Sequence, residues 1–350
     1  MRTGCLISLL LMCALAHAAS FDCTQARTPQ EKAICASPKL SAADEQMAAA
    51  YKNALSATSP AMVADVRADQ RAWLGRLSLE CPPGRVRFDQ SMTDCLLQNY
   101  DARTKALHQL VQQKGGITFV WRSMFLMNRE EPANDETGTE SSSEFELIPG
   151  YGTLAVSWPQ TNASTHEWRA WNKAIVAAAQ RVASQNGAGQ DGQWHADWAG
   201  EDDGDLTVEI GVVNQQLTTA FIDRWGWRGA HPWESSIQFN WLLKEQREIK
   251  PDDVFRQDSN WDELLVQRCI KILVKDLGQN YENSYAGPDK LPSVLHEIIL
   301  DSKNWQISRK GLSIVFQDYA IAPRVLHPGP VTIPWADLKP YLQPTFLIPR

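Results

Sequence analysis

The chain lacks the residue patterns by which common enzyme and cofactor sites are recognised in a sequence. His166-Glu167 and His296-Glu297 are not followed by the second histidine that a helical zinc-hydrolase motif requires. No nucleophile-elbow serine, phosphate loop or dinucleotide glycine pattern is present. The acidic run 201–205 has Ala199 and Ile210 where a calcium loop needs its first and last ligands. We therefore expect a protein that is not an enzyme and that has no cofactor or metal.

The chain also lacks an apolar run long enough to span a bilayer, which requires about 20 residues. The longest such run, from Cys5 to Ala16, follows the positive charge of Arg2 and precedes Ala16-His17-Ala18, a small-x-small cleavage site. These features predict a secretory signal peptide over residues 1–18, cleaved after Ala18 or, as a second choice, after Ala19. We expect the mature protein to have no membrane span and to be exported, to the periplasm or the medium.

Positive charge is not in excess, since the chain has 34 Lys and Arg against 41 Asp and Glu and a net charge of −7. A nucleic-acid partner is therefore not expected. The acidic side chains concentrate in residues 115–205, which carry 14 acidic and 5 basic residues. This asymmetry either steers the protein towards a basic partner or keeps a loop-rich region soluble.

Cysteines are few and clustered. Cys269 lies apart in a helix-like apolar segment, where we expect a buried and unreactive thiol. Four others fall between Phe21 and Leu110, as expected for two disulfides in an exported module: Cys23, Cys35, Cys81 and Cys95. Three pairings are possible. We favour Cys23–Cys35 with Cys81–Cys95, because each bridge closes a short loop and 82–84 reads Pro-Pro-Gly.

Apolar residues recur with helical spacing through this four-cysteine region. Thr28-Pro29-Gln30-Glu31 has the form of a capping box and predicts a helix that ends near Cys35. Ser41 with Asp44 three residues later predicts a second helix start. A third helix is predicted to bury Val63, Val66, Gln70, Trp73, Leu74 and Leu77, and a last one to carry Leu96, Tyr100, Leu107 and Val111 up to Gly115-Gly116. We predict a disulfide-stapled all-α domain over residues 20–114.

The module resembles the N-terminal domain of LprI-type lysozyme inhibitors. The resemblance rests on the FDC opening, the EKAIC helix, the RAWL helix and the spacing of a set of positions: Leu40, Asp44, Tyr51, Gln70, Arg71, Trp73, Leu74, Cys95, Leu96, Tyr100 and Arg103. It implies an exported module, and some family members are lysozyme inhibitors. We interpret Gln70 and Arg103 as parts of a network that fixes shape, because a buried polar group needs a partner. Tyr51, Trp73 and Tyr100 are interpreted as core.

The remaining chain mixes strands and helices. Residues 127–147 form an acidic, polar stretch that predicts a loop or linker. Strands are predicted in 117–126, in 152–160, in two segments between 206 and 227, and in SSIQFNWLLK; helices are predicted in HEWRAWNKAIVAAAQRVASQ and WDELLVQRCIKILVKDLGQ. A hairpin is predicted around Arg309-Lys310-Gly311. The expected fold of 117–126 with 148–345 is α+β with a mainly antiparallel sheet.

This second part, over about 200–345, is similar to the RsiV-like C-terminal domain, a domain of unknown function named after an anti-sigma factor that is a lysozyme receptor. The signals are the turn 229–231, the segment Ile249–Phe255, and GLSIVFQDYAIAP running into VTIPWADLKPYL. The chain departs from the family pattern over 324–329. We propose six residues of the acidic stretch and of these turns as partner contacts: Glu144, Glu146, His231, Asp318, Tyr319 and Arg324.

Both resemblances predict a binding protein that captures or inhibits a lysozyme-like muramidase. An alternative is an envelope sensor or scaffold that binds cell-wall glycan or another envelope protein without inhibiting an enzyme. A third hypothesis, an envelope hydrolase, has only His231 as a candidate base, and a turn histidine explains that residue better.

Overall fold

This computed structural model describes residues 19–83, 91–129, 151–184, 193–199, 203–228, 231–280 and 287–349. The predicted signal peptide and nearly all of the predicted acidic loop lie outside these ranges. The described residues divide into two compact units. The first comprises residues up to Ala57 together with Trp73–Gln109, and the second comprises Thr58–Ala72 together with the chain from Leu110 onwards. No helix within the described ranges has the length and apolar character needed to cross a membrane.

The first unit is helical, as predicted. Its helices are α1 (Pro29–Ala36), α2 (Pro38–Ala57), the C-terminal part of α3 (Val63–Glu80) and α4 (Met92–His108). Its core contains apolar side chains at helical spacing, with Leu40 and Leu96 fully buried. The unit is therefore a small array of helices whose apolar faces meet, and its predicted all-α class is confirmed.

Three details of the helix predictions are wrong. Ser41 does not begin a helix, because α2 already starts at Pro38 and the Ser41 hydroxyl donates to the carbonyl of Ile34 at 2.8 Å. The last helix ends at His108, so Val111 belongs to a strand. Leu74 is 48% exposed although helical spacing placed it with the buried set. Local spacing could not reveal which side of α3 would be covered.

A seven-stranded sheet dominates the second unit within the described residues, in the order β1-β2-β3-β4-β5-β6-β7. The strands are β1 (Val111–Lys114), β2 (Ile117–Arg129), β3 (Tyr151–Thr161), β4 (Asp203–Val213), β5 (Leu217–Arg228), β6 (His231–Leu242) and β7 (Arg247–Glu248). Neighbours are antiparallel except β3 and β4, which are parallel and are separated in the chain by helix α5 (His166–Ala183). The predicted mainly antiparallel α+β class is confirmed.

The turn between β1 and β2 explains why the last helix stops early. Gly115 and Gly116 both have positive φ, at 58° and 79°, which is the conformation of a tight two-residue hairpin turn. A Cβ at Gly115 would collide with the carbonyl oxygen of Val213. The glycine pair therefore folds the chain back as a hairpin, and Val111 pairs opposite Val120.

One face of the large sheet packs against α5. Trp171 and Ile175 of this helix are fully buried among apolar side chains of the strands. Arg224 of β5 is buried here as well, and its guanidinium donates to the carbonyls of Ala183 and Trp198. A buried charge satisfied by two carbonyl oxygens holds the end of α5 to the sheet.

A second core lies in the C-terminal part of the same unit. It joins helices α6 (Pro251–Val254), α7 (Trp261–Leu277), α8 (Gly287–Leu300) and α9 (Trp335–Leu338) to a three-stranded antiparallel sheet, β8 (Trp305–Ile307), β9 (Gly311–Ile314) and β10 (Val331–Pro334). The predicted hairpin around residue 310 is confirmed as the turn between β8 and β9. Cys269 is fully buried in α7, and burial raises the pKa of its thiol to about 12.

Candidate functional site

Two disulfides hold the helices of the first unit. Cys23–Cys35 joins the turn before α1 to that helix, and Cys81–Cys95 joins the end of α3 to the first turn of α4, each with a Cα–Cα distance of 5.8 Å. The predicted local pairing is therefore confirmed. Cys23 is exposed, whereas Cys81 and Cys95 are buried, so the second bridge is part of the core.

The approach to α1 is held in shape by hydrogen bonds as well as by a disulfide. Thr28 caps the helix and accepts from the N–H of Glu31, while the Glu31 carboxylate accepts from the N–H groups of Thr28 and Arg27 at 2.8 and 2.7 Å. These backbone hydrogen bonds, with that of Thr28 foremost, keep the pKa of Glu31 below its ordinary value. The predicted capping box is confirmed, and its carboxylate is charged at neutral pH.

Four of the predicted motif residues meet in the core of the first unit. Asp44 is buried and accepts from the N–H of Ser20 at 2.6 Å. Burial, then the charge of Asp44 and a hydrogen bond to it, raise the pKa of the Tyr100 hydroxyl. The Tyr100 ring lies edge-on to Trp73 at 5.3 Å, and the Arg103 guanidinium lies 5.7 Å from the centre of the Trp73 ring. All four side chains are buried, and a role in fixing the shape of the unit remains our interpretation.

The other two motif positions differ in burial. Gln70 is 6% exposed, and Tyr51 is only half-buried. The sequence interpretation of Tyr51 as a core residue is therefore only partly matched by its environment.

A loop after β9 brings together three of the predicted contact residues. The Asp318 carboxylate lies 3.5 Å from Nε of Arg324 and 3.6 Å from Nδ1 of His327. Tyr319 has φ of 64°, which is unusual for a residue other than glycine, and its side chain is 52% exposed. Val325 is 90% exposed. The loop thus presents an aromatic and an aliphatic side chain on a segment that the Asp318–Arg324 ion pair holds together.

Hydrogen bonds also tie the start of this loop to the large sheet. The side-chain amide of Gln317 donates to the carbonyl of Ser236 at 2.8 Å and accepts from the N–H of the same residue at 3.4 Å. Gln317 thereby pairs with the edge of β6 as a neighbouring strand would. The base of the loop is fixed, whereas Tyr319 and Val325 face solvent.

The remaining predicted contact residues cannot be placed in the same way. Glu144 and Glu146 lie outside the described residues. His231 begins β6, where its backbone pairs opposite Arg228, but its side chain lies outside the described part of the chain.

A cluster of carboxylates on the face of the large sheet opposite α5 was not predicted from the sequence. Asp223 of β5 lies beside Glu234 of β6, and Glu209 of β4 is close enough to act on it. Burial, followed by the charge of Glu234 and a hydrogen bond with it, raises the pKa of Asp223 to about 6. The alternation of polar and apolar residues in 206–210 is a signal that Glu209 lies on a polar face, but only strand register brings the three acids together.

Two parts of the chain match known families. Residues 23–107 match the family described as Lysozyme inhibitor LprI. The chain contains an LprI domain. Residues 252–336 match the family described as Protein of unknown function (DUF3298), so the chain also contains a DUF3298 domain. The two predicted resemblances are confirmed, with "RsiV-like" as a loose description of the DUF3298 part.

Two solved structures are similar to the chain at low sequence identity. A member of the DUF3298 family from Bacteroides fragilis NCTC 9343 is 15% identical with a TM-score of 0.46, covering 66% of this chain and 96% of that one. A DUF3298 family protein from Pseudomonas aeruginosa PAO1 is 10% identical with a TM-score of 0.42, covering 67% of this chain and 98% of that one. No curated protein matches the chain.

Within the described residues, no three histidine, cysteine, aspartate or glutamate side chains are grouped so that they could hold a metal ion. The arrangements described above are instead surfaces and buried networks. The LprI match supports a binding function of the lysozyme-inhibitor kind.

Proposed function

We propose that the protein is exported and that it binds and inhibits a lysozyme-like muramidase. The observation that carries the proposal is the LprI domain at residues 23–107, with both of its disulfides formed. Disulfides persist in oxidising compartments outside the cytoplasm, where such an enzyme would be met. Inhibition would result from occupation of the glycan cleft near the catalytic carboxylates of the enzyme.

The charge of the mature protein favours this partner. Arg2 is the only charged side chain in residues 1–18, so removing the predicted signal peptide changes the net charge from −7 to −8. An acidic protein attracts a basic enzyme during diffusional encounter, and salt weakens the attraction. Affinity should therefore decrease as ionic strength rises.

Exposed apolar side chains are the contact points that we propose in each domain. In the LprI domain Leu74 is 48% exposed on α3, whereas the neighbouring Trp73 is buried. In the DUF3298 domain Tyr319 and Val325 project from the loop held by Asp318 and Arg324. Binding energy at protein interfaces concentrates in a few such side chains, with tyrosine enriched among them.

The experiment is a binding titration of the oxidised, full-length mature protein with a c-type lysozyme, at low and at physiological salt. Leu74→Ser and Tyr319→Ala test the two surfaces, and Leu300→Ser removes an apolar side chain of comparable exposure (44%) from α8 as a control. We expect binding that salt weakens, a loss of about tenfold in at least one test variant, and no change in the control.

The same samples should then be assayed for hydrolysis of labelled peptidoglycan by the lysozyme. Inhibition that follows the binding affinities would support the proposal. Absence of binding at micromolar concentration in both salt conditions would refute it, as would binding that leaves hydrolysis unchanged.

A further inference from the structure

A cleft of about 830 Å³ opens in the second unit, apart from the loop that carries Tyr319. Its walls come from the β1–β2 turn, from β4, β5 and β6 of the large sheet, and from the β8–β9 hairpin with β10. The volume lies within the range of about 300 to 1,000 Å³ that is usual for small-molecule sites. Polar and apolar groups contribute about equally to this lining, which includes the amide of Gln306 and the hydroxyl of Thr332. A ligand with several polar groups and some apolar surface is therefore favoured.

An irregularity in β4 shapes the wall of the cleft. The pairing of β4 with β5 shifts register between Ile210 and Val213, and the Thr219 hydroxyl accepts from the N–H of Val212 at 2.8 Å within this bulge. The Lys114 ammonium donates to the carbonyl of Ile210. Bulges are frequent beside functional sites because they redirect side chains and end regular pairing.

Gln238 is the side chain that points most directly to a ligand. It lines the cleft and is only 5% exposed, so the little surface that it exposes faces the cleft. The amide has two N–H donors and one carbonyl acceptor with which a bound polar molecule could interact.

The charges of the lining restrict the chemistry of that molecule. Arg309 and Lys310 are exposed at the tip of the β8–β9 hairpin and form no ion pair within the described structure, so they can contact an anion. Glu209 is a carboxylate in the same cleft, and it accepts hydrogen bonds but repels a second anion. A ligand that is anionic throughout, such as a polyphosphate, is therefore disfavoured. A ligand with hydroxyl groups along its length and a carboxylate at one place fits both features.

We propose that this cleft binds a short oligosaccharide that carries carboxylate groups. Sugar hydroxyls would pair with Gln238, Glu209 and the neutral polar lining, and the carboxylate would face Arg309 and Lys310. The side chain of Phe221, which also lines the cleft, offers an apolar surface to a sugar ring. This site goes beyond muramidase binding, and neither Leu74 nor Tyr319 lines it.

The test is isothermal titration of the full-length mature protein with two probes. One is a disaccharide of N-acetylglucosamine and N-acetylmuramic acid, which carries a carboxylate, and the other is the neutral disaccharide of N-acetylglucosamine. The variant Arg309→Ala/Lys310→Ala removes the two cations of the hairpin tip and leaves Lys114, and Lys290→Ala/Lys339→Ala removes two exposed lysines that do not line the cleft. We expect the acidic probe to bind about tenfold more tightly than the neutral one, and only the first double variant to abolish this preference.

Gln238→Leu provides an independent readout, because it removes the amide while keeping a side chain of similar size. It should weaken both probes by about tenfold, with circular dichroism and thermal unfolding confirming that the variant is folded. The proposal is overturned if neither sugar binds below millimolar concentration. It is also overturned if removing the two cations leaves the preference intact, or if an acidic peptide of equal charge binds as tightly as the acidic sugar. Loss of muramidase binding in the Leu74 or Tyr319 variants would not affect these outcomes.

Discussion

Removal of the Cys23–Cys35 disulfide should lower the free energy of unfolding of the first unit by about 3 kcal/mol. The bridge spans 12 positions in the sequence, and a cross-link of this size restricts the unfolded chain by about that amount. Cys23 is exposed and Cys35 is half-buried, so replacing both with alanine leaves no large cavity. The loss should therefore come chiefly from the greater entropy of the unfolded state.

Hydrogen exchange measured by mass spectrometry can assign the effect to one unit. In the variant Cys23→Ala/Cys35→Ala, peptides from α2 and α4 should exchange roughly 150-fold faster than in the wild type, because about 1.4 kcal/mol corresponds to a factor of ten. This holds under conditions where the exchange rate reports the opening equilibrium. Cys81→Ala/Cys95→Ala should have a larger effect. Its loop is similar, at 14 positions, but both sulfur atoms are also buried in the core.

Peptides from β4 to β6 serve as an internal control and should exchange at the wild-type rate in both variants. Two results would refute the reasoning. One is acceleration of less than about fivefold in α2 and α4 of the first variant, which would mean that the bridge contributes under about 1 kcal/mol. The other is a smaller effect from the buried bridge than from the exposed one.

Three further predictions follow from particular contacts. The pKa of Asp223 is raised to about 6 in the folded state. At pH values between the ordinary carboxyl pKa and about 6, the folded protein therefore binds more protons than the unfolded chain, and the free energy of unfolding should fall as pH rises through this range. Asp223→Asn should flatten that slope and raise the midpoint of thermal unfolding at pH 7.5, whereas an unchanged slope would contradict the assigned pKa. The Cys269 thiol, with a pKa of about 12, should resist iodoacetamide at pH 8 in native protein and react in urea, as mass spectrometry would detect; rapid native labelling would contradict its burial. Gly115→Ala should lower stability to urea by about 1 to 3 kcal/mol because of its positive φ and its collision with Val213, whereas Gly116→Ala, with open space around it, should cost less.

Where local chemistry decides a structure, the sequence was a sufficient guide. The capping box at Thr28 and Glu31 began a helix as predicted, because both partners of its hydrogen bonds lie within one turn. The turn at Gly311 likewise produced the predicted hairpin. The disulfide pairing followed from loop length, since short loops close most readily.

Helix predictions failed where distant residues decide the outcome. Helix α8 was not predicted, and it contains Pro292, which local rules place outside helices. It forms nonetheless because Leu291, Leu295 and Ile299 are all fully buried in the second core. Helical spacing also led us to extend the last predicted helix of the first unit to Val111. The turn at Gly115-Gly116 instead allows Val111 to pair as part of a strand.

The sequence by itself determined the modules of this protein: a stapled helical domain with LprI features, and an α+β part that includes a DUF3298 domain. The grouping of Asp318, Tyr319 and Arg324 could also be predicted from the sequence, since the three residues lie in one short loop. Only the tertiary structure decided that Asp223 shares a sheet face with Glu234, and that Gln238 lies in the wall of a cleft. These properties depend on strand register and on segments far apart in the chain, whereas capping, turns and short disulfide loops depend on atoms close together along it.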